Sequence, residues 1–569
     1  MIILGINNMH DASAVLVIDG RIVAAAEEER FTRIKHAKGF PVNAMRFCLA
    51  YAGIKIDDVD IVCASWKPWN LRIRATLALK SILKSPDIFK AKTSRGIGQM
   101  QNEWAELFTL RGLVETYFGK GKYKIEYVDH HLAHAASAFL CSPFERAAIL
   151  TVDGAGEADT TVLWIGEGTG IEKLKVVKLP HSLGQFYSSV TAFLGFKAQS
   201  DEYKVMGLAS YGEPAYADYL SKNVVQLLPD GLFRITPYFI DYHLARNGSF
   251  LTSTTDIFGE SRRKGEDIAK RHADIAASAQ KVVEDVIFHL ANSLHDLTKL
   301  DTLCLAGGVA FNCVANGKLF KKTSFKNIFI QPAAGDAGSA LGAALLLEHK
   351  YTGRPRRYVM NNAYLGPSFS SSDCERVLKD KNIRYERLDE DVILQKTAHV
   401  LAEGKLVCWF QGRMEWGPRA LGNRSFLADP RREEMKDIIN LKIKQRESFR
   451  PFAPSVLEEK SPEYFDYTGT SPFMLYAFPV KPEKRSQIPA VTHVDGTARP
   501  QTVNKENNPL YWKLINEFGK LTGVPILLNT SFNVQEPIVC TPGEALESFI
   551  RTKVDYLVLN DLFIEHPFP

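Results

Sequence analysis

The chain has 569 residues, 45% of them hydrophobic and 24% charged. This composition argues against a disordered or fibrous chain, and the length gives room for about three to five compact units. Lysine and arginine total 70 against 65 acidic residues, a formal charge of +5, too slight over this length to point to nucleic acid. Anionic small-molecule substrates stay open. No apolar run reaches the roughly 18 residues a membrane span needs, so no membrane partner is expected.

The first residues, MIILGINNMHDASAVLVIDG, read as two strands around a polar turn and not as a signal peptide. The stretch 72–95 carries Arg72, Arg74, Lys80, Lys84, Lys90, Lys92 and Arg95 among apolar residues. A solvated helix face is the plainest reading. A lid over an anionic substrate or a membrane-surface segment are the others. Short apolar runs at 147–152, 302–306, 327–330 and 406–410 alternate with helical patterns, which indicates an α/β architecture with a largely parallel sheet. A strong helix is expected over 337–349. The Gly-, Pro-, Ser- and Asn-rich stretch 353–372 follows it and marks a boundary, so domains are expected over 1–355 and 366–569. The cysteines Cys48, Cys63, Cys141, Cys304, Cys313, Cys374, Cys408 and Cys540 form no CxxC pair. Buried, reduced thiols of a cytoplasmic protein are expected, and a zinc knuckle is not.

Three glycine-rich turns follow strands: LGINNMHDAS at 4–13, LTVDGAGE at 150–157 and LAGGVAFN at 305–312. Glycine lets backbone approach phosphate closely, and a helix N-terminus offers free N–H groups to an anion. Each turn is a weak signal alone. In this order they point to an actin-like ATPase-type, duplicated domain, with Gly307, Gly308 and Asn312 as nucleotide-binding candidates. Between the first two turns lies Asp129-His130-His131-Leu132-Ala133-His134. On a helix, His130 and His134 at i, i+4 share one face, and Asp129 is a reasonable N-cap. Two imidazoles on one face make half a metal site, and a carboxylate would complete it. Asp153, ending its strand, and Asp336, opening a helix, both sit at loop positions where α/β proteins gather ligands. Iron, manganese or zinc would suit such a set.

The C-terminal part holds four basic clusters near strand ends. QGRMEWGPRALGNRS at 411–425 carries Arg413, Arg419 and Arg424. KIKQRESFRPFAP at 442–454 carries Lys442, Lys444, Arg446 and Arg450. HVDGTARPQ at 493–501 carries His493 and Arg499, and LLNTSFN at 527–533 runs from a strand into a polar turn with Asn529, Ser531 and Asn533. Arginine forks and lysines placed so suit a polyphosphate and a small acid. Spacing leaves open which of Lys442 and Lys444 faces such a ligand.

HDASA, EEERFTRIKH, HHLAHAASAF, TVDGAGE, DEYKVMGLASYG, LAGGVAFN and GDAGSALGAA together resemble the O-carbamoyltransferase family. That family includes antibiotic-tailoring enzymes, such as the tobramycin carbamoyltransferase, and the carbamoyltransferase of rhizobial nodulation. The resemblance runs the length of the chain. It implies that His130, His134, Asp153 and Asp336 bind a metal, with iron expected. It implies that His10 acts as general base on an acceptor hydroxyl and that Lys35 binds the carbamoyl or phosphate group. The second domain is similar to the adenylate-forming enzyme that makes threonylcarbamoyl-AMP, which implies that Ser531-Phe532-Asn533 contacts nucleotide and makes Lys444, Arg446 and Arg499 the basic candidates. The implied activity uses carbamoyl phosphate and ATP, with Mg2+, to form carbamoyl-AMP, and then carbamoylates a hydroxyl of a small-molecule, natural-product-type acceptor. A homodimer is left open. Three rivals remain. A hydrogenase-maturation carbamoyltransferase would need zinc-type cysteine clusters and an acylphosphatase-like module. An actin-like sugar kinase leaves the histidine pair unused. An ATP-controlled scaffold would bind ATP without needing carbamoyl phosphate.

Overall fold

The computed structural model describes residues 1–70, 97–236, 245, 250 and 252–566. The basic stretch 72–95 lies outside the described residues. The chain folds into two compact units. The first comprises Met1–Glu28 and His36–Met360, and the second Glu29–Lys35 and Asn361–Pro569. One change of unit, at 360/361, falls within the 353–372 stretch. The other two, at 28/29 and 35/36, bring seven early residues into the second unit, and no composition shift marks them.

The first unit contains two five-stranded sheets with one topology. In the first, the order is Arg21–Glu27, Ser13–Ile18, Ile2–Asn7, Ile61–Ala64, Lys124–Tyr127. In the second it is Gly170–Lys178, Asp159–Glu167, Arg146–Val152, Thr302–Ala306, Asn327–Ile330. Each begins as a three-stranded antiparallel meander whose first strand then takes two parallel neighbours in succession. This repeated order is the duplicated actin-like architecture expected from the three glycine turns. The strands Arg146–Val152 and Thr302–Ala306 lie inside their sheet and are almost wholly buried, which is why both read as continuous apolar runs instead of alternating ones.

Small residues set the helix packing. The helix Asp336–Thr352 begins DAGSALGAALLL and buries its alanine- and glycine-rich face. A Cβ at Gly342 would lie 1.8 Å from the Ala133 carbonyl oxygen. Only glycine permits this approach to the helix His130–Phe139, and the close packing brings Asp336 at one helix start towards the histidines of the other.

The second unit is built on a mixed eight-stranded sheet. Its order is Glu386–Arg387, Leu562–Glu565, Tyr556–Leu559, Val407–Phe410, Arg424–Ala428, Ile526–Ser531, Ala453–Leu457, Gln501–Val503. Trp409, Leu427, Leu527 and Val558 of the central strands pack with Tyr511 and Phe518 of the helix Pro509–Thr522 and with Leu394 and Leu401 of Glu390–Ala402. The helix Pro509–Thr522 carries its own punctuation. The Asn508 side chain accepts from the Tyr511 N–H at 3.1 Å, Pro509 opens the first turn, and Gly523 closes it in the left-handed region.

Candidate functional site

The helix His130–Phe139 buries both histidines completely. Their Nε2 atoms lie 3.0 Å apart. His130 Nε2 is 3.4 Å from Asp153 Oδ2 and 3.5 Å from Asp336 Oδ1, and His134 Nε2 is 3.9 Å from each. The four ligand atoms all lie within 4.8 Å of one another. Ligands held about 2.0–2.2 Å from one ion lie no more than about 4.4 Å apart, and the separations of 3.0 to 3.9 Å from the two histidines fall within that limit, so donor type and spacing fit a divalent cation. The supporting contacts orient the set. His130 Nδ1 lies 3.3 Å from the Ser65 carbonyl oxygen. A carbonyl only accepts, so Nδ1 carries the proton and Nε2 presents its lone pair. Trp66 stacks on the His130 ring at 4.0 Å. The Gly308 N–H donates to Asp153 Oδ1 at 2.9 Å, leaving Oδ2 to face the histidines.

The electrostatics follow from this crowding. Burial disfavours charge on His130, but Asp336 and Asp153 outweigh it and lift His130 to about 10. Burial and the neighbouring His130 push His134 down to about 3. Against its own burial, Asp153 is held well below the usual carboxylate range by its contacts with the histidines. Without a cation, a single shared imidazolium supplies the positive charge that two carboxylates demand.

Asp129 occupies the N-cap position but does not cap with its side chain. Its carboxylate takes the Lys67 ammonium at 2.6 Å. The open N–H of His130 meets Glu157 instead, at 3.3 Å, and Glu157 also accepts from the Lys67 N–H at 3.0 Å. The competing cation decides the matter, because a lysine offers Asp129 a stronger partner than a backbone amide does. Glu157 was legible only as the last residue of LTVDGAGE.

The remaining first-unit candidates are placed as follows. His10 sits in the turn after Ile2–Asn7, partly exposed, with Nδ1 3.2 Å from Asp11 Oδ2. Gly307, at φ 91°, ends the strand Thr302–Ala306 so close to its neighbour that a Cβ would meet the Val152 carbonyl oxygen at 2.3 Å. Asn312 caps the helix Cys313–Lys322 through the Ala315 N–H at 3.1 Å and exchanges two amide hydrogen bonds of 3.0 Å with Gln280. Gly308 and Asn312 thus already serve the Asp153 carboxylate and a helix start.

In the second unit, the turn after Ile526–Ser531 surrounds Lys444. Its ammonium donates to the Ser531 carbonyl at 2.5 Å, the Asn533 carbonyl at 2.7 Å and Asn533 Oδ1 at 2.9 Å. Ser531 Oγ donates to that same Oδ1 at 2.7 Å. Lys444 is 1% exposed, whereas Lys442 points to solvent, which separates the two lysines that spacing left equivalent. Burial, and then Arg446, Arg450 and Lys35, pull Lys444 well below the ordinary lysine range. Lys35 therefore contributes to the basic cluster of the second unit and not to the first domain where the sequence reading put it. Its segment is fastened there: Arg30 donates to the Gly417 carbonyl at 2.9 Å, Arg33 donates to the Pro537 and Ile538 carbonyls at 2.5 and 2.8 Å, and Phe31 packs on Met414, Ala420, Ile538 and Cys540.

Arg446 donates to Asn440 Oδ1 at 2.6 Å and stacks on Phe452. Arg499 is half-buried and close enough to His493 to help burial depress that imidazole to about 4. Arg419 is half-buried in the loop 411–425. Glu415 folds that loop by accepting from the Leu421, Asn423 and Arg424 N–H groups at 2.7, 2.8 and 3.2 Å. A carboxylate of the chain thus occupies the amides of this loop. Asn529 faces the interior, donating to Ser455 Oγ at 3.0 Å and Gln501 Oε1 at 3.1 Å.

A family profile described as "Carbamoyltransferase N-terminus" matches residues 2–345, and one described as "Carbamoyltransferase C-terminus" matches residues 398–566. An uncharacterised protein of Synechocystis sp. is 44% identical over 601 residues, covering 99% of this chain and 96% of that one. The Nodulation protein NolNO of Sinorhizobium fredii is 42% identical over 568 residues, covering 98% of this chain and 79% of that one. The Nodulation protein NolO of Bradyrhizobium diazoefficiens is 43% identical over 445 residues, covering 77% and 78%.

Proposed function

The chain belongs to the carbamoyltransferase family, and from that premise we propose that it is an ATP-dependent O-carbamoyltransferase acting on a small-molecule hydroxyl. The buried convergence of His130, His134, Asp153 and Asp336 is the observation that carries the reading, because an acyl-transfer site needs a fixed charge where oxyanion character develops. The second unit forms the activated group. Lys35, Lys444, Arg446 and Arg450 offset the charge of a triphosphate, Arg499 adds a fork, and Ser531 and Asn533 shape the adenylate turn. Water cleaves carbamoyl phosphate to carbamate and phosphate, and a carbamate oxygen then attacks the α-phosphorus of ATP, brought with Mg2+, to give carbamoyl-AMP with pyrophosphate leaving. In the first unit, His10 accepts the proton of the acceptor hydroxyl. The hydroxyl oxygen bonds to the carbamoyl carbon, and AMP leaves with the electron pair of the broken C–O bond. The four-residue set would hold iron, manganese or zinc, which supplies Lewis-acid polarisation of the carbamoyl oxygen when bound. Among the described residues, no helix is long and apolar enough to cross a membrane.

The test needs no acceptor. Purified protein is mixed with ATP and Mg2+, with and without carbamoyl phosphate, and AMP and pyrophosphate are measured. AMP formation that depends on carbamoyl phosphate is the expected outcome. ADP in place of AMP would overturn the reading in favour of a kinase.

A further inference from the structure

Two residues beside His10 have no part in the activity described so far. The turn at 8–12 and the loop at 36–39 are laced together: the Ala12 N–H donates to the Ala37 carbonyl at 2.8 Å and the Gly39 N–H to the Asn8 carbonyl at 2.9 Å. The Asn7 side-chain amide donates to the carbonyls of His10 and Asp11 at 2.7 and 3.2 Å. Asp11 and His36 both hold the left-handed backbone region, each at φ 55°. That conformation is uncommon for residues other than glycine and is retained where surrounding structure imposes it. The lacing places one carboxylate between two imidazoles. His36 Nδ1 lies 2.7 Å from Asp11 Oδ1, His10 Nδ1 lies 3.2 Å from Asp11 Oδ2, and the two rings sit 4.8 Å apart.

We propose that Asp11 is the positioning residue for His10: shared between the two rings and anchored by His36, it fixes His10 as the Nδ1–H tautomer and leaves Nε2 as the proton acceptor. The inference rests on the reading of His10 as the transfer base. An ionised carboxylate has only acceptors, so His36 Nδ1, which hydrogen-bonds it, is a donor, and the ion-pair contact at 3.2 Å favours a proton on His10 Nδ1 as well. The Nε2 of His10 has no hydrogen-bond partner among the described residues. Once His10 has given up its Nε2 proton, the hydroxyl proton moves to Nε2 in the transfer step while Nδ1 stays beside Asp11, so the imidazolium re-forms next to a negative charge already in place. His36 is the more closely held of the two rings, at 2.7 Å against 3.2 Å, and anchors that carboxylate.

Other groups facing His10 tune it. Burial works against its charged form, but Asp11, and then Asp336 at the start of the helix Asp336–Thr352, raise it to about 9, while Lys38 opposes them. Lys38 is drawn 3.9 Å from Glu103 of the helix Ile97–Phe108. Asp11 itself is held far below the ordinary carboxylate range against its burial, by His10 and His36.

The experiment is a 15N titration of the full chain with labelled histidine rings, His10 being assigned by its loss in His10→Gln. In the wild-type protein the His10 signals are expected to show a raised titration point and, above it, the Nδ1–H tautomer. Asp11→Asn keeps the size and tolerates the left-handed backbone, and it should lower that point by about one pH unit or more and mix the tautomers. His36→Gln should keep the tautomer and leave the point in place or raise it, because the carboxylate then serves His10 alone. An unchanged titration and tautomer in Asp11→Asn would overturn the proposal. So would a fall in His36→Gln as large as that expected for Asp11→Asn. If Asp11→Asn fails to fold, the sign of the His36→Gln shift still decides. None of these signals depends on ATP or carbamoyl phosphate, so a failed AMP assay and a failed inference are told apart.

Discussion

The two candidate sites are electrostatic opposites. In the first unit, two carboxylates and two imidazoles converge in the interior, and the set is short of positive charge until one imidazole takes a proton. In the second, a buried ammonium has neutral oxygens as hydrogen-bond partners, with Arg446, Arg450 and Lys35 around it and Glu536 opposing them. Each arrangement costs stability by itself, since burying an excess of one sign of charge is expensive. Each therefore indicates the sign of its ligand: a cation for the first, a polyanion for the second. Neither residue content nor burial alone makes that distinction. It comes from the sign of the charge that each cluster holds in excess.

The comparison breaks most sharply at His130. His130→Ala should lower carbamoyl transfer by more than about 100-fold, on any acceptor the wild-type enzyme uses, while AMP formation from ATP and carbamoyl phosphate persists. Equal loss of both in a folded protein would mean that the two sites do not divide the work. A chelator should lower the melting temperature of the wild-type protein and leave that of His130→Ala unmoved, because only the former loses a bound ion. On the other side, Arg499→Ala should lower AMP formation on the order of 100-fold. A normal rate would remove Arg499 from the site.

Lys444→Met sharpens the contrast through pH. The folded-state pKa of Lys444 lies below its unfolded value of about 10.4. Between those two values the unfolded chain binds the proton more readily, so stability attributable to Lys444 rises with pH across that window. Denaturant melts at increasing alkaline pH should show this rise in the wild-type protein and a flatter course in Lys444→Met. An identical course in both would show that the lysine titrates normally. The smallest effect is expected at the start of the helix His130–Phe139. Glu157→Ala should cost about 1 kcal/mol of stability and Asp129→Ala less, measured by denaturant melts, because Glu157 and not Asp129 meets the open N–H of His130.

Local periodicity explains what could be read from the chain alone. Alternating apolar runs and helices gave the α/β class, and the strands at 302–306 and 327–330 form at those same residues. The HxxxH spacing placed His130 and His134 on one face, because 3.6 residues per turn leaves no alternative once the helix forms. Spacing could not separate Lys442 from Lys444. The segment Ile438–Ile443 winds as a π-helix, whose wider turn changes which side chain points inward. Nor could it identify Glu157 as the cap, since Lys67 had first to claim Asp129.

The sequence by itself determined the elements, the repeated strand–turn pattern and the chemical types available at each turn, for these depend on neighbours within a few residues. Only the tertiary structure decided that Asp153 and Asp336 meet the histidines, that Asp11 serves two rings at once, and that residues 29–35 carry Lys35 into the second unit. Those outcomes depend on close packing between distant segments, at positions such as Gly342 where any side chain would have kept the backbones apart.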